Sequence, residues 1–407
     1  MLRFKQYLAE AKEGKNLHLE HLEDEVLNNG VEGTRAAINF LQSLRDMLAG
    51  NSKSSVNVTV KWDGAPAIFA GINPENDKFF VGTKGVFNVS PKINYTNADI
   101  DANHSSAGLN AKLKVALKYL SKLGIKNVLQ GDMLFTKEDL KTEKIDGKSY
   151  TTFQPNTILY AVPTDSSAKI TKAKMGIVWH TTYTGKKLED MKASFGASVS
   201  SLTKTSDVWF SDANYEDKSG TINFNKSETD NITSVLSKAG RTFQTLDSGF
   251  MKNLLSKKDI LLLIKTYSNV KVRAGEEITN TSKHVDDIIE YVNVKIQKDV
   301  DKVKTQSSKD KKTKYKEEIM KYLLVNKSQL KKIFDMQNLL IQSKTLVIRK
   351  LEKAKGAMGT FIRTDNGFRV TAPEGFVAID NSGKAVKLVD RLEFSRANFT
   401  AAKAWDK

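Results

Sequence analysis

The pattern of apolar residues changes twice along this chain, and the second change constrains the fold most strongly. From residue 56 to about 185, short runs such as VNVTVKW, PAIFAGI and MGIVWHTTYTG predict β-strands. Residues 230–357 repeat apolar residues at helical spacing, and strand patterns return only in GTFIRT, FRVTAP, EGFVAID and KAVKLV. The helical block is therefore inserted into, or packed beside, a β domain that flanks it. We predict an α+β fold dominated by antiparallel strands.

Smaller changes in pattern divide the chain further. Residues 17–49 predict two helices that separate near residues 28–33, and residues 106–123 predict another helix. Residues 192–228 are rich in Ser, Thr, Asp and Asn, with weak strand signals in SDVWFS and GTINFN. The predicted domain limits are 1–16 for an N-terminal peptide, 17–50 for the N-terminal helices, 51–190 and 358–407 for the β domain, and 191–357 for a helical, lysine-rich insertion.

Charge and composition narrow the classes of partner. The chain has 407 residues and a formal net charge of +17, and residues 301–355 alone contain 16 Lys and Arg against 6 Asp and Glu. This excess favours nucleic acid as a partner, although a lysine-rich solvated surface without a partner fits the same composition. No apolar run approaches the roughly 18 residues that span a bilayer, which predicts no membrane partner. Cysteine is absent, so thiolate metal sites and cysteine nucleophiles are excluded.

The segment VTVKWDGAPAIFAG, residues 58–71, places a lysine within an apolar strand pattern. Lys61 and Asp63 fall on one face of a strand, and Gly64 follows at once. One interpretation is structural, with Lys61 paired to Asp63 and Gly64 in a turn. The other is chemical, because burial and neighbouring cations lower the pKa of a lysine, and the free amine attacks carbon or phosphorus.

The order of the following segments resembles that of a known superfamily. After KWDG come GTKG, QGDMLF, ILYAVP and MGIVWHTTY, and then EGFV and AVKLVD near the end. This set is similar to the covalent nucleotidyltransferases, which include ATP-dependent DNA ligases, RNA ligases and mRNA-capping enzymes, and most similar to RNA ligases of the T-even-phage type. The resemblance covers roughly residues 55–185 and 358–396. It implies a mostly antiparallel nucleotidyltransferase domain that uses ATP and Mg²⁺, forms a lysyl-AMP intermediate and acts on polynucleotide ends.

The resemblance also implies a role for each matching residue. It assigns catalysis to Lys61, Asp63 and Lys387, nucleotide contacts to Gly64, Lys84, Asp132, Tyr160, Trp179 and Lys387, and metal contacts to Glu374 and Asp132. In this assignment Lys61 is the nucleophile, and one aromatic ring, Tyr160 or Trp179, stacks on the base. Attack on an α-phosphate needs an unprotonated amine and cations against the developing charge. Lys387 close to Lys61 would lower the nucleophile's pKa by repulsion between like charges.

Three positions depart from the superfamily's pattern. Pro66 stands where DNA ligases have arginine and RNA ligases have asparagine. Val389 stands where a second lysine follows Lys387, and Arg391 comes two residues later. Asp132 replaces the commoner glutamate of the third motif. These departures indicate altered nucleotide or acceptor choice, or reduced activity.

The first eleven residues, MLRFKQYLAEA, resemble a second pattern, the capsid-targeting peptide of T-even-type phage internal head proteins. Such peptides are cut after a glutamate that precedes a small residue, which here implies cleavage between Glu10 and Ala11. The resemblance implies contact with phage head components, with the protein located in the virion head as well as the host cytoplasm.

Other candidate sites in the sequence are weaker. The segment HLEH places His18 and His21 three positions apart on a helix, but no third ligand at convincing spacing follows, so a packing or surface helix is preferred over a metal site. His180 follows Trp179 in a strand pattern, and a strand histidine with satisfied contacts is the default interpretation.

The sequence thus predicts an ATP-dependent nucleotidyltransferase of RNA-ligase type, encoded by a phage. Two alternatives stay open. The first is a non-catalytic, nucleic-acid-associated head protein that keeps the fold, and the second is a transferase of AMP to protein or to a small molecule. RNA or DNA, and ATP or GTP, also remain open. Convergence of Lys61, Asp132, Glu374 and Lys387 at one cavity is the structural expectation that follows.

Overall fold

The computed structural model describes residues 20–50, 56–213, 223–353, 358–364, 367–370, 374–380 and 385–392. Within these residues the predicted α+β character is confirmed, because helices and antiparallel strands are both abundant. None of the described helices is long and apolar enough to cross a membrane. The predicted N-terminal peptide, its cleavage site after Glu10, and His18 lie outside the described residues.

The described strands form three sheets. A three-stranded sheet has the order β1-β13-β14, and a six-stranded sheet has the order β10-β8-β4-β2-β3 with β9 paired to β8. A five-stranded sheet has the order β12-β11-β7-β6-β5. The strand bounds are β1 (Val56–Lys61), β2 (Ala67–Ile72), β3 (Phe79–Gly82), β4 (Val128–Thr136), β5 (Lys141–Ile145), β6 (Lys148–Phe153), β7 (Leu159–Pro163), β8 (Met175–Thr184), β9 (Lys192–Phe195), β10 (Val208–Asp212), β11 (Gly359–Thr364), β12 (Gly367–Val370), β13 (Gly375–Asp380) and β14 (Ala385–Leu388).

The three-stranded sheet joins one strand that precedes the helical block to two strands that follow it. β1 pairs antiparallel with β13 over its whole length, and β13 continues the sheet to β14. In the five-stranded sheet, β11 likewise returns to pair with β7. Strands on both sides of the helical block therefore share sheets, and the helices leave and re-enter one β framework.

The six-stranded sheet extends further along the sequence than predicted. β9 pairs with the C-terminal half of β8, and β10 pairs in parallel with its N-terminal half. Residues 192–195 and 208–212 thus use their backbone groups in this sheet. The helical block consequently begins at Lys226, and the predicted start at residue 191 is too early.

The described helices fall into two groups. One group, α1 together with α5–α10, is called the helical body below, and the other consists of α2, α3 and α4. The helix bounds are α1 (Glu25–Leu48), α2 (Asn97–Asn103), α3 (Ala107–Leu120), α4 (Ala168–Lys172), α5 (Lys226–Gln244), α6 (Ser248–Ser256), α7 (Lys258–Ala274), α8 (Thr281–Asp301), α9 (Gln306–Val325) and α10 (Lys327–Leu351).

Local sequence signals explain where the helices bend and begin. α1 is interrupted at Gly30, whose φ of 57° and ψ of −130° are not helical, so the two predicted N-terminal helices meet there. A side chain at Gly30 would also approach Leu255 Cδ1 to 2.8 Å. α5 begins with a capping box, in which the Asn225 side chain accepts from Glu228 N–H and the Glu228 carboxylate accepts from Asn225 N–H.

The hydrophobic core of the helical body includes part of the three-stranded sheet. α1 packs on α5, α6 and α10, and its Leu41 and Leu44 are fully buried. Phe376 of β13 and Leu388 of β14 belong to the same apolar cluster, at 1% and 0% exposure. Each such buried side chain contributes roughly 1.5–3 kcal/mol. One face of the three-stranded sheet is therefore part of the helical core.

Residues 20–24, called the 20–24 segment below, connect the helical body to the edge of the three-stranded sheet. Lys387 N–H donates to the Glu20 carbonyl at 3.0 Å, and His21 forms a β-bridge with Lys387. The Lys344 ammonium donates to both Glu23 carboxylate oxygens at 2.8 and 2.7 Å, and each residue is only 1% exposed. Burial raises the pKa of Glu23, but Lys344 outweighs burial, and the net effect lowers the pKa to about 2.

Replacing one partner of this buried ion pair is expected to destabilise the protein strongly. Lys344→Met leaves the Glu23 carboxylate buried without its cation, so the free energy of unfolding should fall by about 3–5 kcal/mol. Urea unfolding followed by circular dichroism measures this change. Glu23→Leu combined with Lys344→Met should recover most of the loss, because an apolar pair replaces the ion pair. As a control, Glu32→Gln at the exposed Arg35–Glu32 pair should cost less than about 1 kcal/mol. Equal effects of Lys344→Met and Glu32→Gln would contradict the prediction.

His284 of α8 is expected to make stability depend on pH. The residue is 3% exposed, and its ring packs edge-on against Phe334. Burial lowers the pKa of His284 from 6.5 to about 4. Because the unfolded chain binds this proton more readily, the contribution of His284 is present above pH 6.5 and is lost as pH falls toward 4. Between pH 7.5 and 5, the unfolding free energy of the wild type should therefore drop about 2 kcal/mol more than that of His284→Gln, measured in urea. Equal drops would refute this assignment.

Candidate functional site

Lys61 is the last residue of β1, and the sheet register determines which side chains share its face. Lys387 lies opposite Val377, and Val377 lies opposite Thr59, two residues before Lys61. Side chains that are two apart on a strand, or directly opposite on neighbouring strands, point to the same face. Lys61 and Lys387 therefore share one face, and Glu374 immediately precedes the residue that pairs with Lys61.

Lys61 forms an ion pair with Glu374. The Lys61 side chain is 24% exposed, and that of Glu374 is 7% exposed. Burial lowers the pKa of the Lys61 ammonium, but the Glu374 carboxylate raises it, and the net direction is upward. The expected lowering of the Lys61 pKa is therefore wrong, because the Glu374 carboxylate pairs with the Lys61 ammonium and stabilises its charged form.

Lys387 experiences the repulsion that was expected for Lys61. Burial lowers the pKa of Lys387, and the nearby Lys61 ammonium lowers it further. Glu374 has its pKa raised, chiefly by burial. The site thus contains two ammonium groups and one carboxylate whose charges influence one another.

Asp63 anchors the segment that follows β1. Its carboxylate accepts hydrogen bonds from Asn156 Nδ2 at 2.8 Å and from the backbone N–H groups of Thr157 and Ile158 at 2.7 Å. Its own N–H donates to the Tyr160 hydroxyl at 2.8 Å. Asp63 is 3% exposed. Both Asp63 oxygens are thus engaged by the residues that precede β7, so Asp63 holds this segment in place, and the catalytic role expected for it stays a prediction.

Gly64 allows the chain to pass directly against Asp132. A Cβ atom at Gly64 would lie 2.6 Å from Asp132 Cβ and 3.0 Å from the Met133 carbonyl oxygen. This close approach keeps the Asp132 carboxylate near the site, where its charge raises the pKa values of Lys61 and Glu374. Glycine is thus required here by the contact with β4.

His180 lies beside Asp132 on the six-stranded sheet. Trp179 and Thr181 pair with consecutive residues of β4, so His180 is the extra residue of a β-bulge. Its Nε2 lies 3.7 Å from Asp132 Oδ2, and its Nδ1 lies 2.8 Å from Thr181 Oγ1. The His180 side chain is 27% exposed. The default interpretation, a strand histidine with satisfied contacts, agrees with the Thr181 contact. The sequence pattern carries no signal for the bulge that leaves the imidazole partly exposed.

The aromatic rings of Tyr160 and Trp179 are buried away from the cavity that Lys61 lines. They are 2% and 0% exposed, and neither lines the cavity described below. The Tyr160 ring packs against Trp62 at 5.3 Å and Phe153 at 5.5 Å between centroids. The base-stacking role expected for one of these rings is not met, because both rings belong to hydrophobic cores.

Three further positions of the motifs are Lys84, Val389 and Arg391, of which the last two line the same cavity as Lys61. Lys61, Glu374 and Lys387 are called the Lys61 cluster below. Lys84 is exposed in the short 3-10 helix Lys84–Phe87 and does not line the cavity. Val389 is 2% exposed and packs in the apolar cluster that contains Tyr160. The Arg391 guanidinium donates to Asp24 at 2.8 Å and to Asn269 at 2.7 Å. Neither Val389 nor Arg391 therefore supplies the missing second lysine.

A cavity of about 1440 Å³ connects the Lys61 cluster to the helical body. Lys61, Glu374 and Lys387 line this cavity, together with residues of the 20–24 segment. Residues of α7 and α10, including Lys265 and Arg349, line it as well. Three of the four residues expected to converge therefore face one cavity, and the fourth, Asp132, influences it through its charge.

The candidate metal ligands fit Mg²⁺ only together with a substrate. In the described ranges, no group of three or more His, Asp or Glu side chains is arranged to hold a metal ion. Mg²⁺ is commonly held by one or two carboxylates plus substrate phosphates and water, and Asp132 and Glu374 suit that arrangement. His21 of the HLEH segment is part of no such group, and burial lowers its pKa to about 3.

The chain belongs to DUF6267, a family of unknown function whose pattern matches residues 16–403. Neither a search of curated proteins nor a search of solved structures found a match. The site must therefore be interpreted from its own geometry.

Asp63→Asn tests the positioning role of this carboxylate. Asparagine replaces one accepting oxygen by an NH₂ group that faces the backbone donors of residues 157 and 158, so about 2–4 kcal/mol of unfolding free energy should be lost. Urea unfolding measures the loss. Asp165→Asn, at an exposed aspartate, is the matched control and should change stability by less than about 0.5 kcal/mol. A stability equal to that of the control would show that the three hydrogen bonds do not hold this segment.

Proposed function

We propose that this protein is an ATP-dependent nucleotidyltransferase that forms a covalent lysyl-AMP at Lys61. The observation that carries the proposal is the shared cavity of Lys61, Glu374 and Lys387, which come from opposite ends of the chain. A partly buried lysine with a carboxylate partner and a second lysine on the same sheet face suits attack on a phosphate. The order of segments that resembles the covalent nucleotidyltransferases supports the same chemistry.

In the proposed first step, the Lys61 amine attacks the α-phosphorus of ATP. A phosphorus–nitrogen bond forms, the bond from the α-phosphorus to the bridging oxygen breaks, and pyrophosphate leaves. Lys61 must first lose a proton, and Glu374 is its hydrogen-bonded acceptor. Burial raises the pKa of Glu374, which favours its acceptance of this proton. Lys387 carries positive charge against the developing negative charge on the phosphate.

Bound Mg²⁺ would neutralise phosphate charge, with Asp132 and Glu374 as the protein carboxylates near it before Glu374 takes the proton, and with Asp132 afterwards. His180 would lie at the Asp132 side of the nucleotide, where its imidazole is partly exposed. We propose polynucleotide ends, RNA or DNA, as acceptors, because residues 223–353, which contain α5–α10 of the helical body, have 27 Lys and Arg against 16 Asp and Glu. A phage origin and a location in the virion head or host cytoplasm remain proposals based on the N-terminal resemblance.

A second candidate function is favoured by two substitutions in the motifs. Pro66 offers no side-chain polar group where ligases keep one, and Val389 is buried among apolar residues. A protein that keeps the fold without catalysis would bind nucleic acid in the phage head through its basic surface. Transfer of AMP to a protein or a small molecule is a third outcome, in which the adenylate forms but no strand is joined.

Incubation with ATP labelled at the α-phosphate and with Mg²⁺ tests the proposal. Wild-type protein should become covalently labelled through an acid-labile phosphorus–nitrogen bond. Lys61→Arg should remain unlabelled, since arginine keeps the positive charge beside Glu374 but is not a nucleophile. Lys126→Arg, at an exposed lysine, is the matched control and should label like the wild type. Failure of the wild type to label with any nucleoside triphosphate would leave the non-catalytic function.

A further inference from the structure

A dense group of lysines lies where α8 ends and α9 begins. Residues 295–316, called the lysine surface below, contain nine lysines and three aspartates, with no arginine or glutamate. The structure describes every residue of this range, and none of them lines the cavity beside Lys61. The lysine surface is therefore separate from the candidate site, and a role for it does not depend on the chemistry proposed at Lys61.

Two hydrogen bonds hold the end of α8 against the first half of α9. Lys312 Nζ donates to the Asp299 carbonyl oxygen at 2.9 Å, and Lys316 Nζ donates to Gln297 Oε1 at 2.7 Å. Because these contacts place the two helix ends side by side, the lysines of both helices lie on one continuous part of the molecule.

Burial does not account for the first half of α9. The buried residues of this helix are Ile319 and Leu323, and both lie in its C-terminal half. Most helices in proteins are stabilised by packing an apolar face against the core, and a helix segment that is polar on all sides lacks this contribution. The first half of α9 thus presents its side chains to solvent or to a partner.

Three lysines of this surface have no acidic partner within the described chain. Lys304, Lys311 and Lys314 are exposed and form no hydrogen bond or ion pair with a described residue. The neighbouring Asp301 and Asp310 accept hydrogen bonds from glutamine side chains instead. The positive charge of the surface is therefore not neutralised internally, and a polyanion that bound it would release its own counterions.

The side chains of this surface favour nucleic acid over a lipid membrane. Residues 304–314 contain no apolar residue, whereas a helix that binds a membrane surface needs an apolar face. Lysine, serine, threonine and glutamine, which make up most of this range, commonly contact phosphate oxygens. Tyr315 is the one aromatic residue of the surface, and its hydroxyl donates to the Asp259 carboxylate. Single-strand binding relies on several stacking rings, so the phosphates of a duplex fit this surface better.

We propose that the lysine surface binds the sugar-phosphate backbone of double-stranded nucleic acid without reading its sequence. Contacts from lysines to phosphates position a protein on a duplex but carry no sequence information. The range also lacks arginine, the side chain that most often recognises guanine in the major groove. Duplex DNA and duplex RNA offer the same backbone charge. The surface would hold the protein on a polynucleotide while the cavity beside Lys61 stays open to its own substrate.

Fluorescence anisotropy with short labelled duplexes of DNA and of RNA tests this proposal at several salt concentrations. The triple variant Lys304→Gln, Lys311→Gln, Lys314→Gln removes three unpaired charges and keeps side chains that favour helices. The slope of log affinity against log salt concentration should become shallower by about 2–3, because each phosphate contact contributes about 0.9. Binding should weaken equally on unrelated sequences. No nucleotide is added, so the outcome does not depend on labelling of Lys61.

A matched control removes the same charge elsewhere. The triple variant Lys144→Gln, Lys148→Gln, Lys169→Gln alters exposed positions of β5, β6 and α4 and should keep the wild-type slope. Equal losses in the two triple variants would show that net charge alone drives binding, and would overturn the proposal. An unchanged slope in the test variant, tighter binding of a single strand than of the duplex, or binding to phosphatidylserine vesicles without binding to either duplex would also overturn it. Circular dichroism checks that both variants keep their helices.

Discussion

The three-stranded sheet contributes one face to the core of the helical body and the other face to the candidate site. One face places Phe376 and Leu388 in the core of the helical body, and the other carries Lys61 and Lys387. Because the side chains of a strand alternate between faces, the apolar packing that fixes the helices also fixes the spacing of the two ammonium groups. A shift in strand register by one residue would expose the apolar face and bury the charges, so packing and site geometry are linked.

The site places the proposed nucleophile, Lys61, beside a carboxylate that keeps it protonated. Glu374 stabilises the charged form of Lys61, and a charged ammonium cannot attack phosphorus. The same carboxylate is the nearest acceptor for the proton that Lys61 must release. In the proposed reaction, a bound triphosphate changes the charge around both groups, and the ion pair would keep the Lys61 amine protonated until then.

Local patterns predicted most of the framework, and long-range contacts determined the remainder. Short runs of apolar residues predicted the strands β1, β4, β8 and β13. The order of the motifs predicted that Lys61, Glu374 and Lys387 would lie close together. The ionisation of Lys61 was mispredicted because it depends on a carboxylate at the other end of the chain. The burial of Tyr160 and Trp179 depends on packing between sheets, which an aromatic residue in a strand pattern does not reveal. The β5–β6 hairpin was also missed, although Asp146 and Gly147 have positive φ values and Asp-Gly is a strong hairpin signal.

The pairing of β1 with β13 has a consequence for how the protein is made. During synthesis β1 leaves the ribosome early, and its neighbour β13 is translated only after the whole helical body. Until then the edge of β1 and the Lys61 ammonium lack their partners. Closing so long a loop slows folding, and the helices between can form first from local contacts. The chain therefore assembles this site last, so an incomplete translation product would contain Lys61 without Glu374 and Lys387.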